Sequence, residues 1–262
     1  MIAVSKFGEV SLHRDGHVAL IEIDRPPHNH VTVELMHHLA NALTVVDAER
    51  ELRATVLLTA GKSFCAGADL VAPTGIAHAE GNTGISGLYI EAVRLFSAKK
   101  PIVAAVQGAA VGAGLGLALV ADFRVAAPEA RFTANFVKLG FHPGFGITHT
   151  LPRLIGEQRA ALMCLTGRRI KADEALAWGL VDEIAPLDLL QSAALKLARE
   201  IAENAPLAVQ ATRATLRREL AEKVRAQTDH EFAEQSILRR THDFAEGVRA
   251  VAERRAGNFT GT

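Results

Sequence analysis

Two short segments of this chain have the composition to do chemistry with the main chain alone. The first, Ser63-Phe64-Cys65-Ala66-Gly67-Ala68-Asp69-Leu70, follows the apolar run Ala54 to Thr59. The second, Gln107-Gly108-Ala109-Ala110-Val111-Gly112-Ala113-Gly114-Leu115-Gly116, follows Ile102 to Val106 and opens an apolar helix. Small residues let the backbone approach a ligand closely and leave amide N–H groups free to face an anion. A helix N-terminus adds further orphan donors and the positive end of a dipole. One N–H from each turn, aimed at a single oxygen, makes an oxyanion hole for a carbonyl that gains negative charge during reaction.

Polar side chains beside these turns are few. His142, next to Pro143-Gly144, is the candidate acid/base, because imidazole titrates near neutrality; the bland alternative is a loop histidine. Asn135 can orient a water or a carbonyl, or serve a turn or cap. Cys65 reads as a small buried filler rather than a nucleophile, and Asp69 as a local cap at the turn edge. His28, His30, His37 and His38 lie close in sequence, but no carboxylate or cysteine completes a ligand spacing, so no metal is expected. The Gly112 to Gly116 string invites a pyrophosphate-binding reading. Leu117 stands in the third glycine's place, however, and no acidic residue ends a following strand about twenty residues on.

The elements that must hold the two turns follow from pattern. Ser11 to Asp24 alternates around Asp15-Gly16 and reads as a hairpin, while Ala54 to Thr59 and Ile102 to Val106 are continuous apolar runs suited to strands covered on both faces. Thr32 is placed to cap a helix with Val33, Met36, Leu39, Leu43 and Val46 along one face. No strand signal follows Leu180 to Ile184, so the fold class is α/β with a helical C-terminal part, divided as 1–204 and 205–262 near Asn204-Ala205-Pro206. With 49% apolar but only 5% aromatic residues, the core of this 262-residue chain must be built from small aliphatic side chains. Twenty-nine basic residues balance 29 acidic ones, which removes any general attraction to nucleic acid or an anionic membrane. The two cysteines stand far apart, and no leader or spanning segment is seen; a cytoplasmic setting is expected. Phe232, Ile237, Leu238, Phe244, Val248 and Val251 in the C-terminal helices are expected to need a partner surface.

At these residues the sequence resembles the crotonase family, the enoyl-CoA hydratase/isomerase superfamily. The resemblance runs through Arg25-Pro26-Pro27-His28-Asn29, Ser63 to Leu70, Pro101 to Asp122, Leu139 to Gly146 with Leu151 to Gly156, and Thr166 to Ala175 with Trp178 to Val181. It implies a spiral of ββα units with a C-terminal helical trimerisation part, assembled as a homotrimer or hexamer. It also implies an acyl-CoA thioester as ligand, with coenzyme A entering as part of the substrate and no separate cofactor. Carried onto this chain, it makes the Ala66 and Ala113 amides the oxyanion donors. It sets His28, Ala66, Gly67, Ala68, Asp69 and Leu70 along the thioester and CoA arm, Phe136 and Gly144 in the acyl pocket, and Phe259 near the adenine. The two glutamates that hydratases of this family use fall at Gly116 and Phe136, and the aspartate of other members falls at Gly144. Two readings follow: an acyl-CoA enzyme of hydratase/isomerase type with an altered acid/base set, and an acyl-CoA-binding protein with little or no hydratase activity.

Overall fold

The first strands form an antiparallel ribbon: β1 (Ser5–Phe7), β2 (Val10–Asp15) and β3 (Val18–Ile23), with Gly16 at φ +58° making the turn expected at Asp15-Gly16. The computed structural model describes residues 5–69 and 84–262. Helix α1 (Val33–Ala48) starts where predicted, the Thr32 hydroxyl accepting from the Leu35 N–H at 3.1 Å, and it buries Met36, Leu39, Leu43 and Val46. There follow β4 (Ala54–Thr59), α2 (Ile85–Phe96), β5 (Ile102–Val106), β6 (Ala109–Val111), α3 (Ala113–Val120) and β7 (Phe123–Ala126). Next come β8 (Arg131–Thr133), a 3-10 turn at Asn135–Leu139, α4 (Ile147–Ile155), α5 (Glu157–Thr166), β9 (Arg169–Lys171), α6 (Ala172–Trp178) and β10 (Glu183–Ile184).

Seven strands share one sheet in the order β1-β2-β3-β4-β5-β7-β10, parallel from β3 onward, and β6, β8 and β9 form a small second sheet. The apolar runs are covered on both faces, as their composition requires. Ile102, Ala104 and Val106 enter the main core with α1, α2 and α3, whereas Val103 and Ala105 face the other way, with Ala54 and Val56. That second face is closed by α7 (Leu190–Ala202), whose Ala194, Ala198 and Ala202 recur every fourth residue and let helix and sheet approach closely.

The C-terminal helices α8 (Pro206–Leu216), α9 (Leu220–Leu238) and α10 (His242–Ala252) return to the body of the protein. Helix α9 packs along α2 and α10 against the 3-10 turn. This corrects part of the expectation for their apolar residues: Phe232, Phe244 and Val248 pack on the chain's own core, and Leu238 is half-buried. Ile237 and Val251 remain exposed. No helix among the described residues is long and apolar enough to cross a membrane.

Candidate active site

The two small-residue turns are locked together. The Cys65 N–H donates to the Ala109 carbonyl at 2.9 Å and the Val111 N–H returns a bond to the Cys65 carbonyl at 3.0 Å. A Cβ on Gly67, at φ +86°, would sit 2.7 Å from the Val111 oxygen, and one on Gly114 would run into the Cys65 carbonyl. Glycine is thus required at both positions by contact between the turns. Asn29, buried between them and the first loop, braces the arrangement by donating to the Ala60 and Ser63 carbonyls at 2.7 and 2.8 Å.

Which amides remain free differs from the expectation. The Ala66 N–H donates to the His28 carbonyl at 2.9 Å, so it is already engaged. The Ala68 and Ala113 N–H groups make no hydrogen bond to any described residue. Ala113 is the first residue of α3, where a helix leaves its donors unpaired; the Ala68 amide is freed by the sharp turn at Gly67.

Both amides border a cavity of about 70 Å³. Ala66 to Ala68, Gly112 and Ala113 form one wall; Phe136, Phe141, Phe145 and Tyr89, with aliphatic neighbours, form the other. Phe136 stacks on Phe141 at 6.3 Å between ring centroids, and Phe141 in turn meets Phe244 of α10 at 5.2 Å. Phe145 is fully buried at φ +63°, a conformation that a bulky residue rarely adopts, and its ring fills the space beside Gly116. A Cβ at 116 would lie 2.5 Å from its Cδ1. Likewise a Cβ at Gly144 would run into the Tyr89 hydroxyl and fall 2.6 Å from Gln235 Nε2. Asn135 does not cap its turn, whose preceding residue is Ala134; its side chain lines the cavity, with Oδ1 3.4 Å from where a Cβ on Gly112 would stand.

His142 is a correction. It is absent from the cavity lining, its ring lies edge-on to His230 of α9 at 6.1 Å, and its Nδ1 is 2.7 Å from the Pro143 carbonyl. What His142 offers the site is its backbone oxygen, which accepts from Gln235 Nε2 at 2.8 Å. The turn that follows is fixed by Glu231, fully buried on α9, which accepts from the Gly146 N–H at 2.7 Å and from the Thr148 N–H and hydroxyl at 3.2 and 2.5 Å. Burial pushes its carboxyl up to about 7, against the downward pull of the Thr148 and Gly146 donors. Burial likewise pushes the Cys65 thiol up to about 12, which fits a filler and not a thiolate.

The remaining expected contacts are scattered. Gly67, Ala68, Phe136 and Gly144 line the cavity; His28 is exposed and reaches the site through its carbonyl; Asp69 is not in the lining. Leu70 lies outside the described residues. Phe259 is 44% exposed on a tail that Asp243 and Glu246 pin to α10, and it does not reach the cavity within this chain. The four clustered histidines divide: His30 contacts the Gly67 carbonyl, while His37 faces Glu91 on α2.

Residues 13–262 match the family model for enoyl-CoA hydratase/isomerase. The chain belongs to the enoyl-CoA hydratase/isomerase family. A probable enoyl-CoA hydratase of Mycobacterium tuberculosis is 40% identical over 215 residues, 82% of this chain and 83% of the relative. The 1,2-epoxyphenylacetyl-CoA isomerase of Escherichia coli is 34% identical over 95% of this chain and 97% of its own. Among solved structures, an enoyl-CoA hydratase/isomerase from Pseudoalteromonas atlantica superposes with a TM-score of 0.86 at 30% identity, covering 96% of this chain and all of that one. A carnitinyl-CoA dehydratase from Mycobacterium avium gives 0.85 at 30% identity, with 97% and 99% covered. The relatives' names span hydration, dehydration and isomerisation, so membership of the enoyl-CoA hydratase/isomerase family does not by itself choose a reaction.

Within this family frame, three residues that sequence reasoning passed over bear on the cavity: Tyr89 and Phe145, which line it, and Gln235, whose Oε1 accepts from the Tyr89 hydroxyl at 2.8 Å. Two left a signal. Tyr89 is the only tyrosine in the chain, and Phe145 is a bulky residue set between two glycines.

Proposed function

We propose that this protein binds an acyl-CoA thioester and stabilises its enolate between the Ala68 and Ala113 N–H groups, with hydration of simple enoyl-CoA thioesters slow. The observation that supports it most is the pair of unengaged amides, one from each of two interlocked turns, bordering a cavity with no carboxylate among its described lining residues. Loss of a proton next to a thioester puts charge on the carbonyl oxygen, and each correctly placed donor is worth roughly 10²- to 10³-fold. A positioned acid or base contributes roughly 10²- to 10⁴-fold more. Gly116, Phe136 and Gly144 offer none, and Phe145 closes the space from which a residue-116 side chain would act.

In this reading coenzyme A arrives as part of the substrate, with no separate cofactor, and the protein works in the cytoplasm. Leu165, 76% exposed, and Ile237, 65% exposed, favour a homotrimer or hexamer that covers them. An acyl-CoA-binding role with little catalysis rests on the same apolar wall, and product analysis separates the two. The test is butyryl-CoA binding by calorimetry beside crotonyl-CoA hydration at saturating substrate. Micromolar affinity, about −8 kcal/mol, is expected with turnover far below the enzyme median of about 10 s⁻¹. Turnover near that median overturns the slow-hydration reading; absence of binding overturns the thioester reading itself.

A further inference from the structure

The carbonyl and the N–H of one trans peptide unit point in opposite directions, so whatever holds the oxygen aims the hydrogen. The free Ala113 N–H shares its peptide with the Gly112 carbonyl, which accepts from the Gly116 N–H at 3.1 Å in the first turn of α3. A helix bond therefore aims that donor. The free Ala68 N–H shares its peptide with the Gly67 carbonyl, which stands outside any helix. Two groups from one short segment hold it instead: the Val31 N–H at 3.0 Å and His30 Nδ1 at 3.1 Å. A carbonyl can only accept, so the second bond puts an imidazole hydrogen on Nδ1.

The need for a second anchor comes from Gly67 itself, at φ +86°. Glycine permits rotations of the adjoining peptide that other residues resist, so one bond at its carbonyl would leave the Ala68 N–H loosely aimed. His30 is well placed to add the other. Arg25 Nη1 donates to the His30 carbonyl at 2.7 Å, and the neighbouring Asn29 is tied to Ala60 and Ser63 on the approach to the same turn. The His30 side chain is half-buried, with the His28 ring 5.3 Å away. Linked hydrogen bonds also polarise one another, by roughly 10–30% per bond, so a donor on the Gly67 oxygen makes the Ala68 N–H a stronger donor in turn.

We propose that His30 is a positioning residue for the oxyanion hole, holding and polarising the Gly67–Ala68 peptide through its carbonyl so that the Ala68 N–H meets the thioester oxygen. The proposal rests on the thioester reading above and assigns how one of its two donors is held. Its effect is larger on the enolate than on the bound thioester, because the enolate oxygen carries the charge that the donor meets.

The experiment compares the wild type with His30→Leu and His30→Asn, using butyryl-CoA labelled with carbon-13 at the thioester carbon. Leucine has the branching of asparagine and no donor, whereas the asparagine Nδ2 stands as many bonds from the backbone as the histidine Nδ1. Binding to the wild type should lower the infrared stretch of the thioester carbonyl, as donors on its oxygen weaken the double bond. His30→Leu should lose part of that lowering and slow α-proton exchange in deuterium oxide roughly five- to tenfold, the size of one net hydrogen bond. Its affinity for butyryl-CoA should stay within about twofold of the wild type. His30→Asn should restore the stretch and bring exchange back within about twofold. A merely structural role would lower the urea midpoint of both variants and leave the stretch of the bound ligand unmoved. An unchanged stretch and exchange rate in His30→Leu, or no recovery in His30→Asn, overturns the role of His30 and leaves the amide pair standing. A wild type that binds butyryl-CoA without shifting its stretch removes the amide pair and the proposal with it; a wild type that does not bind removes the thioester reading as well.

Discussion

The two walls of the cavity are built on opposite principles. On one side, the turns at Gly67 and Gly112 present backbone amides fixed by contacts between main-chain atoms, such as Cys65 with Ala109. On the other, Phe136, Phe141, Phe145 and Tyr89 present only side chains. A backbone donor survives nearly every substitution at its own residue, whereas each side chain can be exchanged singly. The first wall therefore keeps a shared capacity, charge stabilisation at one oxygen, and the second is where members of one fold diverge in reaction and substrate.

The largest expected effect comes from breaking the main-chain wall. Ala113→Pro deletes one of the two free backbone N–H groups, which no other side-chain change removes, and proline is tolerated at the first position of a helix, so the protein should still fold. Enolate formation, read as exchange of the α-proton of butyryl-CoA in deuterium oxide, should drop by roughly 10²- to 10³-fold. An unchanged exchange rate would show that the amide pair is not the site of charge stabilisation.

The next prediction tests the opposite wall. Gly116→Glu forces a buried chain against the Phe145 ring and should lower stability by about 3 kcal/mol, seen as a fall in the urea midpoint. Phe145→Gly should cost a similar amount, about 3 kcal/mol, as a cavity. Together they should cost less than their sum by at least about 1 kcal/mol, because each relieves the other. Additive losses would mean that the ring and the missing side chain do not compete for one space.

A smaller effect concerns pH. Glu231 has its carboxyl raised from 4.5 to about 7, so the folded state holds a proton that the unfolded state has released between those values. Its contribution to stability is complete below about pH 4.5 and is lost as pH rises through about 7, by at most about 3 kcal/mol. Glu231→Ala should remove this slope from a stability-against-pH profile while leaving the Gly146 and Thr148 donors unpaired, at about 2 kcal/mol overall. A profile unchanged in slope would place the titration elsewhere.

The smallest effect is at the periphery. Leu165→Asp puts a charge on a side chain that is 76% exposed, so it should leave the monomer's stability within about 0.5 kcal/mol. Light scattering should nevertheless show the mass fall from a multiple of 28.0 kDa toward that value. A wild type already at 28.0 kDa would remove the oligomer from the reading.

The sequence announced whatever is local. The Asp15-Gly16 hairpin, the Thr32 cap and the strands flanking the turns each depend on a few adjacent residues, and all form as expected. Family motifs then brought the two turns together correctly. What stayed hidden depends on partners far along the chain. The Ala66 amide is taken by a carbonyl 38 positions earlier, which moves the free donor to Ala68. His142 has its backbone, not its imidazole, tied to Gln235, and its ring lies edge-on to His230 of α9. Phe232 and Phe244 looked like interface residues because helical periodicity marks an apolar face without saying which surface covers it.

The left-handed Phe145 also gives the site a direction in mutational history. With its ring beside Gly116, an acidic residue at 116 has no room, and a smaller residue at 145 gains nothing until an acid arrives. The two changes are useful only as a pair and harmful singly, so selection acting on one codon at a time meets a valley between this pocket and one with a carboxylate at 116. A catalogue of single substitutions would record both positions as intolerant and miss that they constrain each other.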